Sequence, residues 1–96
     1  MSETRPAATP TVMIDNEKVR VTEWRFPPGG ATGWHRHEMD YVVVPVTTGA
    51  LTLETPTGEV TADLVTGQPY FRAAGVEHDV VNKNGFEFVF VETELK

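Results

Sequence analysis

The chain has 96 residues, no cysteine, 40% hydrophobic residues and a net charge of −6. That length allows one domain with a single core. The absence of thiols excludes disulfides and thiolate-bound metals, and the acidic balance, with Lys and Arg scattered along the chain, argues against nucleic acid or an anionic membrane as partner.

Residues 1–10 are polar, carry Pro6 and Pro10, and read as a frayed tail ahead of a domain over residues 11–96. Nothing in the tail resembles the apolar core of a signal peptide, and no apolar run approaches the roughly 20 residues that span a bilayer, so a cytoplasmic protein is expected. Beyond the tail the hydrophobic period is two. Strands are expected at Val19–Phe26, Gly33–His37, Tyr41–Thr48, Ala50–Thr55, Glu59–Val65, Gln68–Arg72, His78–Asn82 and Phe86–Leu95, with a weaker one at Thr11–Ile14. Turns fall at Pro27-Pro28-Gly29-Gly30, Pro56-Thr57-Gly58, Thr66-Gly67, Ala74-Gly75 and Lys83-Asn84-Gly85. Gly29, Gly67 and Gly75 read as turn glycines with positive φ, and Asn84-Gly85 carries a hairpin signature. No window forms an amphipathic helix, so the fold class is all-β, a single-domain sandwich or barrel. Tyr41–Val46 and Phe86–Val91 are apolar on both faces, which requires cover on both and points to a homodimer.

Two of the three histidines, His35 and His37, stand two residues apart at the mouth of the Tyr41 strand. On a strand they point the same way, about 6.6 Å apart, and can converge on one ion, while Trp34 and Arg36 point away. An HxH pair by itself is as compatible with two solvated histidines beside a turn. By the same parity Tyr41 lies on the histidine face, and Glu38 and Asp40 lie opposite unless a bulge reverses them. Glu77 and Asp79 read as surface acids, and Arg72 as a surface arginine that would suit a carboxylate only if it faced inward. Trp24, Arg25, Tyr70 and Phe71 are further candidates for the site.

The third histidine changes the weight of the pair. Gly29, five residues, His35, Arg36 and His37, closed by Gly49, follow the pattern G(x)5HxH(x)3-4E(x)6G. Gly67, Gly75, His78 and Asn82 follow G(x)5PxG(x)2H(x)3N, with Ala73 in place of the proline. Together the two stretches resemble the cupin superfamily over Gly29 to Asn82. The strings V-R-V-T-E-W-R-F, G-W-H-R-H, D-Y-V-V-V-P and F-V-F-V-E are further similar to small single-domain cupins described as β-alanine degradation proteins. The resemblance implies a jelly-roll barrel in which His35, His37 and His78 bind one divalent transition metal. The family glutamate is absent: its position falls on Tyr41, or on Val42 at the longer spacing.

A site of three imidazoles without a carboxylate leaves the ion its full positive charge, which favours an anionic ligand, and a small carboxylated metabolite is the expected substrate. Imidazole suits zinc, iron, nickel and copper alike, so ligand type does not choose the metal; iron is expected first because oxygenase chemistry is the expected reaction, with zinc, nickel, copper or manganese as alternatives. Tyr41 is the candidate catalytic residue, as a proton donor beside the ligands; it could also ligate as phenolate or only fill the barrel. Asn82 reads as a hydrogen-bonded clamp. The alternative to an enzyme is a non-catalytic cupin module that uses its metal to hold a ligand or brace the barrel.

Overall fold

The computed structural model describes residues 5–96. The described residues form nine strands: β1 (Thr9–Asp15), β2 (Val19–Phe26), β3 (His35–Arg36), β4 (Tyr41–Pro45), β5 (Gly49–Thr55), β6 (Gly58–Leu64), β7 (Tyr70–Arg72), β8 (Glu77–Val81) and β9 (Phe88–Leu95). They form a five-stranded sheet, β1-β2-β9-β4-β7, and a four-stranded sheet, β3-β8-β5-β6. There is no helix among the described residues, and so none long and apolar enough to cross a membrane. The fold is the expected β-sandwich of jelly-roll type.

The registers explain how the core grades into a site. Residues directly opposite in neighbouring strands share a face, so the inner face of the larger sheet is a series of rows. Phe26 faces Phe88, then Trp24 faces Phe90, then Glu92 stands between Thr22 and Val43, and last Glu94 stands between Arg20 and Tyr41. One end is aromatic and closed. The other is charged and open. Phe26, Val43, Leu51, Val80, Phe88 and Phe90 make up most of the buried cluster between the sheets. On the outer face Val42 pairs with Thr93 and Phe71, and Val44 with Val91, so apolar side chains do line both faces of β4.

Three local expectations are corrected. First, residues 5–10 are not frayed: β1 begins at Thr9, Ala8 is buried at 8% exposure, and backbone bonds run from Ala8 N to Ala31 O (2.9 Å) and from Ala31 N to Pro6 O (2.9 Å). Two small alanines let this segment lie close against residue 31, which polarity alone did not signal. The part of the expected tail on residues 1–4 lies outside the described residues. Second, Asn84-Gly85 makes no hairpin. The strands on either side, β8 and β9, belong to different sheets, and Gly85 has no positive φ. The segment is a corner in which Asn84 donates its amide N to Asn82 Oδ1 (3.0 Å) and its side chain to Ala50 O (2.7 Å). Third, the strand expected over Gly33–His37 shrinks to His35–Arg36, because Gly33 takes φ +84° and turns the chain. Gly29, Gly67 and Gly75 have the expected positive φ.

Candidate metal centre

The short β3 pairs with β8 so that His35 stands directly opposite His78. The two sequence motifs therefore meet as a cross-strand pair. His37 lies just beyond β3 and is held there by its backbone: its N–H donates to Val76 O (2.8 Å) and its carbonyl accepts from Gly75 N (2.8 Å). Gly75 takes φ +101° to make that turn, a conformation that side chains rarely allow.

The three rings converge. Nε2 of His37 lies 3.0 Å from Nε2 of His35 and 3.1 Å from Nε2 of His78. Nitrogens bound to one ion at about 2.1 Å would be separated by about 3.0 Å at right angles and about 3.4 Å in a tetrahedron. The observed spacings fit a divalent metal with nearly perpendicular ligands, as in a site that retains open positions. Tautomers fit as well. His35 Nδ1 is 2.9 Å from Gly33 O, and a carbonyl can only accept, so Nδ1 carries the proton and Nε2 offers its lone pair. Burial, and then the neighbouring His35, lower the His37 pKa to about 4; burial, then His35, His37 and Arg72, bring His78 to about 4. Both rings are neutral at physiological pH, which is the ligating form.

Tyr41 is 2% exposed and stacks flat on the His37 ring, with centroids 3.9 Å apart and an angle of 19°. Its phenol pKa is raised, by burial first and then by Tyr70 and Glu92. Without an ion the surroundings thus move this hydroxyl away from working pH, opposite to the shift expected from a nearby cation. Glu38 and Asp40 stay outside the cluster: Glu38 is exposed beside Arg36 (3.8 Å), and Asp40 Oδ1 accepts from Ala74 N (2.8 Å).

The carboxylate that the sequence reading did not assign comes from β9. Glu92 is 7% exposed and lies 3.9 Å, Oε1 to Nε2, from His37. Its Oε2 accepts from the Trp24 indole Nε1 at 3.4 Å. Burial, then Glu94, push its pKa up to about 7, with the Trp24 hydrogen bond opposing. The site is therefore not free of carboxylates. The available signal was parity, since Phe88 and Phe90 face inward and Glu92 and Glu94 continue their row.

Of the remaining residues, Trp24 reaches the site through Glu92. Arg72 shares the inner row of Tyr41 but sits exposed at the rim, its guanidinium 4.6 Å from the Tyr70 ring centroid. Arg25 turns outward to Glu87 (2.6 Å) and Glu23 (3.2 Å), while Trp34 and Phe71 are exposed. Asn82 is wholly buried and serves the barrel corner. Beside the histidines opens a cavity of about 370 Å³ with apolar walls from Val43, Val80 and Phe90 and with Arg20, Arg36, Glu92 and Glu94 among its charged groups.

Comparison with known proteins agrees with this architecture. A family model described as a cupin domain matches residues 22–93. The chain is 64% identical over 92 residues to beta-alanine degradation protein BauB of Pseudomonas aeruginosa, covering 96% of this chain and 97% of that protein. It superposes with a TM-score of 0.97 and 66% identity on the crystal structure of a cupin domain from Bordetella pertussis Tohama I, over 99% of both chains. A double-stranded β-helix protein from Klebsiella pneumoniae, 16% identical with a TM-score of 0.77 over 98% of this chain and 81% of that one, shares the fold alone. With both histidine motifs inside the matched span and the barrel around them, the chain belongs to the cupin family.

Proposed function

We propose that this cupin is a metal-dependent enzyme acting on a small, carboxylated metabolite, with His35, His37 and His78 holding one divalent transition metal and oxygenase chemistry at iron as its reaction class. The observation that carries the reading is the meeting of three imidazole Nε2 atoms at 3.0 and 3.1 Å on one side of a cavity of about 370 Å³. Ligands on one side and space on the other suit a site that exchanges small molecules, whereas a purely structural ion is enclosed by its protein ligands. Bound iron would supply oxygen activation, which no side chain of a cysteine-free site provides.

The chain's own residues do the rest. The tautomer fixed at His35 and the depressed pKa values of His37 and His78 keep lone pairs available without proton competition. Tyr41 holds the plane of His37 by stacking on it, and its protonated hydroxyl suits a donor rather than a phenolate ligand. Arg20 and Arg36 offer positive charge at the mouth for a substrate carboxylate, although each is shared with acids, Arg20 with Glu94 (3.7 Å) and Arg36 with Glu77 (3.5 Å). The relative named for β-alanine degradation supports a small substrate of this kind.

The reading is tested by metal analysis of protein purified without an affinity tag, followed by oxygen uptake with small carboxylic acids. Stoichiometric iron and substrate-dependent uptake are expected, and His78→Ala should lose the metal. Zinc without oxygen uptake supports the non-catalytic module instead. Full occupancy in His78→Ala ends the metal assignment. The same reading includes a homodimer, supported by the exposed Phe71 and half-buried Val42 and Val44 on the outer face of the larger sheet.

A further inference from the structure

Glu92 has no assigned role, and its surroundings are unusual for a carboxylate. It occupies an inward position of β9 between Thr22 and Val43, one row from the Trp24 and Phe90 aromatics, and is 7% exposed. A buried carboxylate is costly unless its oxygens accept hydrogen bonds. Oε2 takes the Trp24 indole N–H at 3.4 Å, and since no buried side-chain oxygen among the described residues lacks a partner, Oε1 is reached from the open cavity. The indole is a donor and nothing else, so it fixes which oxygen faces the barrel wall. Oε1 turns to the cavity and accepts from no described residue; its nearest charged neighbour is His37 Nε2, and 3.9 Å is too long for a hydrogen bond.

Nor does Glu92 fit as a further metal ligand. Ligands of one ion at about 2.1 Å lie at most about 4.2 Å apart. Glu92 is within that reach of His37, but the ligand atoms of His35, His37 and His78 lie within 4.8 Å of one another and Glu92 does not join them, although with His37 and Glu94 it forms a separate cluster of the same span. Glu92 therefore stands to one side of the triad, on the flank of His37, next to the space that an exchangeable ligand would fill. Arg20, the cation of the neighbouring row, is taken by Glu94 (3.7 Å) and Asp15 (3.6 Å), so it does not satisfy Oε1.

We infer that Glu92 is a substrate-binding and specificity-determining residue: its Oε1 accepts a hydrogen bond from a donor on the bound molecule, so the site selects ligands that carry a hydroxyl or amino group beside the oxygen that meets the metal. A hydroxy or amino acid satisfies both sides of the cavity. A carboxylate lacking the donor leaves Oε1 buried and unpaired, and places two anions together. This inference rests on the metal reading above and narrows its substrate class.

Cobalt(II) loaded into the purified protein gives a visible spectrum that reports entry of a ligand without turnover. Glycolate and methoxyacetate are the probes, because they offer the same ligating oxygens and differ in the hydroxyl proton. At pH 8, above the Glu92 pKa of about 7, the wild type should bind glycolate at least about tenfold more tightly, the size expected for one hydrogen bond to a charged acceptor. Glu92→Leu should keep its cobalt and lose that preference to within about twofold, with Glu92→Met as the substitute if the leucine variant does not fold. A wild type without the preference, or a variant that retains it, overturns the inference while leaving the metal reading intact. A wild type with no cobalt spectrum, or a spectrum that survives His78→Ala, overturns both.

Discussion

Replacing Asn82 by alanine removes the most connected polar side chain of the barrel. Asn82 is 0% exposed. Its Nδ2 donates to Phe86 O (2.8 Å), Pro27 O (3.2 Å) and Phe26 O (3.3 Å), and its Oδ1 accepts from Asn84 N (3.0 Å) and Asn84 Nδ2 (2.8 Å). Two hydrogens serve three carbonyls, so one is shared, leaving about four bonds at a net of about 1 kcal/mol each. A loss of about 3 to 5 kcal/mol follows, against a total of about 5 to 14 kcal/mol for a chain of this length. At about 4 to 8 °C per kcal/mol the melting temperature should fall by roughly 12 to 40 °C. Circular dichroism melts measure this. Asn82→Asp separates bonding from packing, because it fills the same space while presenting acceptors to three carbonyls, and it should melt at least as early as the alanine variant. Either variant melting within about 5 °C of the wild type refutes the account of Asn82 as a clamp joining the Phe26–Pro27 corner to the Asn84 corner.

Tyr41→Phe keeps the ring that stacks on His37, so metal content and melting temperature should stay near wild type, while Tyr41→Ala should lose about 3 to 5 kcal/mol and bind metal more weakly. Equal metal affinity in wild type and the alanine variant, by calorimetric titration, contradicts the positioning role. The protein should sediment at twice its monomer mass of 10.6 kDa, and Val42→Lys should shift it to the monomer mass. A wild-type monomer at micromolar concentration removes the dimer from the reading.

The histidine triad was legible in the sequence because its logic is mostly local. Strand parity aligns His35 with His37, and the second motif places His78 at the start of β8; the cross-strand pairing of His35 and His78 then completes the convergence. Tyr41 was placed on the correct face by the same parity. Parity puts Glu92 on the inner face with Phe88 and Phe90, but that it meets His37 depends on β9 lying between β2 and β4, a pairing of distant segments that periodicity does not encode. Its strand was legible over Phe86–Leu95, with Phe86–Val91 apolar on both faces. Asn84-Gly85 failed for the opposite reason. The local turn chemistry was sound, but the flanking strands join different sheets, and the side chains of Asn82 and Asn84 bind the backbone in place of a hairpin partner. The alanines before β1 carry no pattern at all, since burial of so small a side chain depends on what happens to lie beside it.

The meeting of His37 and His78 joins points 41 residues apart in the chain. An ion held by both would bind the folded chain and leave the unfolded one, so occupancy would add to stability by mass action, about 2.7 kcal/mol at a hundredfold excess of metal over Kd and about 4 kcal/mol at a thousandfold. In a protein that has no cysteine, chelation of the metal would then cost conformational integrity as well as chemistry, and protease resistance would track metal supply.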